Sequence, residues 1–154
     1  MPSRETIDSF LAQDHLAFVG VSRNPKQFAN SVYRMLRDGG RTMYPVHASA
    51  DVDTIEGDRC YQHLADVPDP VGGVVVMVPA AGAVDVVRDA IERGIPRVWL
   101  HRGIGPGSVT PEAVAMCREH GVDVVDGACP FMFVEPVRGA HRVHRFFARR
   151  RIAA

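Results

Sequence analysis

Short apolar blocks alternate along this chain with longer stretches whose apolar residues recur every three or four positions. The blocks are residues 16–21 (LAFVGV), 42–46 (TMYPV), 74–78 (VVVMV), 97–100 (RVWL) and 122–125 (VDVV). Each is too short for a stable helix and rich in β-branched or aromatic side chains, which predicts strands. The run at 74–78 has no polar break, as a central parallel strand buried on both faces requires. Between the blocks, Val32, Met35 and Leu36 mark one face of a helix over 29–38, with Gly39 placed to stop it. Val84, Val87, Ala90 and Ile91 mark a second helix over 83–93, before Gly94. A third has Thr110 as its N-cap, Pro111 at the first helical position and Gly121 at its end. A leading helix over 4–13 and a closing one over 137–150 complete the prediction.

Strands alternating with helices at this spacing predict right-handed crossovers and an α/β fold. The expected form is a Rossmann-like, three-layer, doubly wound parallel sheet of about five strands in a single domain. A length of 154 residues suits one domain with a substantial core. That domain is expected over 1–136, followed by a basic C-terminal helix or tail over 137–154.

Charge sharpens this division. The formal net charge is zero, yet residues 135–154 hold six arginines against the single acid Glu135, leaving 1–134 with a net charge of −5. Such a tail is expected to dock on its own domain or a second subunit, in preference to nucleic acid or a membrane surface. Three widely spaced cysteines, Cys60, Cys117 and Cys129, predict reduced thiols. No apolar run approaches the roughly 18–20 residues needed to span a bilayer, and residues 1–14 lack the pattern of a secretory signal. A cytoplasmic protein is expected.

In open parallel sheets ligands bind beyond the carboxyl ends of the strands, where the winding direction changes. The loop after the first strand, 20–31 (GVSRNPKQFANS), is therefore the first candidate. Gly20 permits a tight turn and a close approach by a ligand. Ser22 and Asn24 can donate side-chain hydrogen bonds, and the amides opening the next helix offer a seat for a pyrophosphate. Lys26, the sole lysine beside 17 arginines, would supply a point charge there. The loop has no G-x-G-x-x-G, and the second strand ends in Pro45-Val46-His47 with no acid to hold ribose hydroxyls. A neutral or cationic residue at that position tolerates a phosphorylated ribose, as in coenzyme A (CoA) or NADP.

These residues resemble the small CoA-binding domain family, stand-alone relatives of the CoA-binding domain of succinyl-CoA synthetase α subunits. The likeness runs through Val19-Gly20-Val21-Ser22, Ser31-Val32-Tyr33, Tyr44-Pro45-Val46 and Ile55-Glu56-Gly57 with Tyr61. It continues through Val78-Pro79-Ala80, Val98-Trp99-Leu100 with Gly103-Ile104, and Cys129-Pro130, covering roughly residues 5–135. It implies a Rossmann-like fold with CoA lying across the carboxyl edge of the sheet. Gly20, Ser22 and Lys26 would face the phosphates, Pro45, Val46 and His47 the adenosine, and Val78, Pro79 and Ala80 the pantetheine arm. With Val21, Asn24, Ser31 and His101 these residues make up the candidate binding set. Two positions depart from the family's habit: His47 stands where Asn is common, and His101 where Gln is common.

No catalytic or metal-binding residue is expected. His101 reads as a polar lining residue and Cys129 as a buried thiol. Cys117 with His120, and His141 with His144, are pairs that nothing requires to meet. The expected function is a non-catalytic CoA or acyl-CoA binding module, a sensor, carrier or partner-regulating protein. The alternatives are an NADP-dependent oxidoreductase, or an interaction protein with a decayed nucleotide site and an arginine-rich contact tail. A homodimer or a protein partner is left open.

Overall fold

The computed structural model describes residues 2–102 and 107–134. The expected closing helix, the tail, the His141/His144 pair and Gly103-Ile104 lie outside these residues. Four helices, α1 (Arg4–Leu11), α2 (Phe28–Asp38), α3 (Ala80–Glu92) and α4 (Pro111–Glu119), accompany seven strands. The strands are β1 (His15–Val19), β2 (Thr42–Val46), β3 (Thr54–Ile55), β4 (Asp58–Arg59), β5 (Gly73–Val76), β6 (Arg97–His101) and β7 (Asp123–Ala128).

Five of these strands form one parallel sheet in the order β2-β1-β5-β6-β7. The winding reverses between β1 and β5, so the ligand crevice of such a fold opens above that pair. Leu16, Phe18, Val75, Trp99 and Val125 pack on one face with Ile7 and Phe10 of α1 and Val32, Tyr33 and Leu36 of α2. Ala17, Val74, Val76, Val98 and Leu100 pack on the other with Ala83, Val87 and Ala90 of α3 and Ala113 and Cys117 of α4. The expected three layers are present.

Element boundaries differ from the sequence reading where backbone chemistry overrides hydropathy. The first strand stops at Val19, because Gly20 turns the chain at φ 112° and Val21 drops into the core. The block at 74–78 pairs only to Val76, and α3 then starts directly behind Pro79. The strand predicted at 122–125 runs to Ala128 through a bulge opposite the Leu100–His101 junction, where Gly127 has φ 84°.

The sequence reading did not predict the β3–β4 hairpin, whose two-residue turn is Glu56-Gly57 with φ 54° and 80°. Asn30, Arg34 and Arg37 of α2 bond to Glu56, and Tyr33 and Arg37 bond to Asp58. Burial and the Asp58 hydrogen bond drive the Tyr33 pKa upward, so the phenol stays protonated.

Candidate functional site

The β1–α2 loop is zipped to β5 as far as it can be. The Met77 amide donates to the Val19 carbonyl at 2.8 Å, and a Cβ added at Gly20 would stand 2.2 Å from the Met77 oxygen. Gly20 is therefore required by the neighbouring strand.

The loop beyond it is held by its own side chains. Asn30 is buried; its Oδ1 accepts from the Ser22 amide at 2.9 Å, and its Nδ2 donates to the Ser22 carbonyl at 2.7 Å and to Glu56 at 2.9 Å. Ser22 Oγ accepts from the Asn24 amide, and Asn24 Oδ1 from the Lys26 amide. Ser22 and Asn24 thus brace the loop in addition to any donation to a ligand, and the amides of residues 22, 24 and 26 are already engaged. Ser31 faces Arg34, whose guanidinium donates to its Oγ at 3.3 Å.

What the loop leaves open is the start of α2. Its N-cap, Gln27, makes no side-chain capping bond, which leaves the amides of residues 28 and 29 uncapped, while the Asn30 amide donates to the Gln27 oxygen at 3.0 Å. The same holds for α3, which follows β5 behind Pro79. In contrast, Ser3 caps α1 and Thr110 caps α4 through side-chain oxygens. The two uncapped helices are the two that spring from the adjacent strands β1 and β5 at the switch in winding. Lys26 is exposed beside the α2 start and makes no ion pair among the described residues.

The remaining predicted residues lie along the same sheet edge in different environments. Val21 and Val46 are core residues, so their backbone is the part that can meet a ligand. Pro45 and His47 are bridged to Tyr61, whose amide donates to the Pro45 oxygen and whose oxygen accepts from His47, each at 2.9 Å. Val78 is held on both sides of its backbone by the buried Ser108 hydroxyl, at 3.0 Å and 2.6 Å. His101 closes β6; burial pushes its pKa down, and among the described residues its buried Nε2 has no hydrogen-bond partner.

A cleft of about 520 Å³ opens beside the loop, lined by Ser22, Arg23, Pro25 and Asn30 on one side and residues 51–56 on the other. Its outer wall is acidic. Asp51 pairs with Arg23 at 3.4 Å, Glu56 with Arg34 at 2.7 Å, and Asp53 is exposed. Carboxylates that lie too late in the sequence to end β2 come back to the crevice because 51–56 folds over it. Asn30, Ser108 and this wall were missed in the sequence reading. A polar residue one turn into an amphipathic helix was the available signal for Asn30.

The CoA binding domain family matches residues 14–135. The chain belongs to that family. As a solved fold, this CoA-binding domain is similar to a protein from Pyrococcus horikoshii OT3, with 28% identity, TM-score 0.75, and 84% of this chain and 90% of that one covered. A Pyrococcus furiosus protein is similar too, at 28% identity and TM-score 0.69, covering 78% of this chain and 98% of that one. The dinucleotide-forming acetyl-coenzyme A synthetase of Ca. Korarchaeum cryptofilum, solved with phosphate and ADP, shares 25% identity at TM-score 0.66. There 77% of this chain matches 26% of the synthetase, so the likeness is to one part of a larger enzyme. Among the described residues no helix is long and apolar enough to cross a membrane.

Proposed function

We propose that this protein binds coenzyme A or an acyl-CoA in the crevice above β1 and β5, as a binding module that leaves the thioester intact. The observation that carries the reading is the pair of helix starts without side-chain caps, α2 and α3, which follow β1 and β5 on either side of the switch in winding, while α1 and α4 are capped. Unpaired amides and the positive ends of two helix dipoles suit a diphosphate, and the exposed Lys26 ammonium adds a mobile countercharge. Of the carboxylates in the cleft wall, Asp51 and Glu56 are paired with Arg23 and Arg34; a carboxylate there accepts from the exocyclic amine of an adenine, and the exposed Arg23 can meet the 3′-phosphate that CoA carries on its ribose. The ligand therefore lies with its nucleoside toward residues 51–56 and its pantetheine arm past Val78 and Pro79.

Thermal denaturation with millimolar CoA tests this. CoA raises the melting temperature by several degrees, and Lys26→Ala reduces the shift by weakening phosphate binding. A flat response to CoA, or a larger shift with NADPH or NADH, overturns the reading. The non-catalytic part is checked with a thiol reagent: acetyl-CoA incubated with the protein releases free thiol no faster than buffer does.

A further inference from the structure

Past β5 the crevice ends in a feature that the diphosphate reading does not use. His101 keeps 9% of its surface, and among the described residues its buried Nε2 has no hydrogen-bond partner. Buried polar atoms are nearly always paired in folded proteins, so an orphan at the carboxyl end of a sheet strand points to a group that a ligand brings once the exposed Phe28 ring turns aside. Packed on the imidazole, at 5.8 Å between ring centroids, is Phe28, and Phe131 lies 5.5 Å from Phe28. Both rings are about half exposed, at 52% and 43%, and the adjoining Met132 is 74% exposed. Large apolar side chains gathered at one exposed spot mark a contact surface.

These side chains come from opposite ends of the domain. Phe28 opens α2, whereas Phe131 and Met132 sit in the single 3-10 turn Pro130–Met132 that follows β7. The bulge in β7 and the 3.0 Å bond from the Trp99 indole to the Ala128 oxygen fix where that turn starts, next to the end of β6. The occupant's chemistry is thus one hydrogen-bonding group with an apolar extension. The end of β6 is two strands from β1, about 10 Å at the usual strand spacing, and a pantetheine arm running from the α3 side past Val78 and Pro79 can reach it.

We propose that this corner is an acyl seat, in which His101 Nε2 donates to a thioester carbonyl while Phe28, Phe131 and Met132 cover an apolar acyl chain. The preferred ligand is then an acyl-CoA with a chain of several carbons, ahead of free CoA. The inference rests on the CoA reading above and deepens it.

Calorimetric titration of the full chain with CoA, acetyl-CoA, hexanoyl-CoA and the thioether S-hexyl-CoA, which lacks the carbonyl, separates the two. Hexanoyl-CoA binds about tenfold tighter than CoA, from the apolar area covered, and about fivefold tighter than the thioether, from one hydrogen bond. His101→Leu closes the thioester–thioether gap and His101→Gln, which can still donate, restores part of it. Phe131→Ala lowers the ratio of hexanoyl-CoA to acetyl-CoA affinity. If CoA binds and hexanoyl-CoA binds no tighter, the acyl seat is wrong and the CoA site stands; if none of the four binds, both fall. An apolar corner that serves a second copy of the chain instead is revealed when Phe131→Ala changes the sedimentation of the protein but not the acyl ratio, which also overturns the proposal.

Discussion

Asn30 shows how one side chain ties the crevice together. Its amide spans the Ser22 backbone and the Glu56 carboxylate, so the β1–α2 loop, α2 and the β3–β4 hairpin share one buried contact. Asn30→Ala leaves those partners unsatisfied and should cost about 3 kcal/mol in urea unfolding, since each buried orphan is worth roughly 1–3 kcal/mol. Gly20→Ala should cost a similar amount, about 3 kcal/mol, because strain at positive φ adds to the clash with Met77. His101 carries a pH signature. Burial lowers its folded pKa below the ordinary 6.5, so the unfolded chain takes up its proton first as the medium is acidified. Its contribution to stability is present above pH 6.5, falls as the pH drops through that value toward the lower folded pKa, and is constant below it. Comparing wild type with His101→Gln over this range isolates the slope, which the variant should lack.

At the scale of elements, the capping pattern sets stability against binding. Thr110→Ala removes the side-chain cap of α4 and should cost about 1 kcal/mol. Gln27→Asp supplies the cap that α2 lacks. It should stabilise the free protein by about 1 kcal/mol and weaken CoA binding, because a carboxylate then occupies the helix start and repels the diphosphate. Denaturation midpoints with and without CoA check both arms. A variant that gains stability and binds CoA unchanged would show that the α2 start is not the phosphate seat. The missed hairpin belongs to this scale too. Two-residue strands carry no periodicity, and this one is held chiefly by ion pairs and hydrogen bonds from α2. Residues 55–57 and Tyr61 stood out in the sequence only through the family resemblance.

At the scale of the whole molecule, both faces of one sheet are covered and share the same five strands, so unfolding should be a single cooperative event. Trp99, the sole tryptophan, is fully buried between β6 and α1, with its ring 5.3 Å from that of Phe10. Its fluorescence and the far-ultraviolet circular dichroism should report the same midpoint; separated transitions would mean that the two layers fold independently.

The alternation of apolar blocks with helical stripes by itself determined the class of fold, the parallel sheet and the crevice edge. Those follow from unbroken apolar blocks too short for helices, from helical stripes at 3.6 residues, and from the rule that crossover helices cover a parallel sheet. The loop after β1 was legible for the same reason, since a strand end, a glycine and a helix start occur in fixed order. Only the tertiary structure decided what each loop residue does. Gly20 answers to Met77 more than fifty residues away, Ser22 to Asn30, and the acidic wall arrives from a segment that the sequence separates from the crevice. His101 and Phe131 become neighbours of Phe28 through the packing of α2 over the sheet. Such contacts depend on where the chain returns in space, and hydropathy along one dimension holds no record of that.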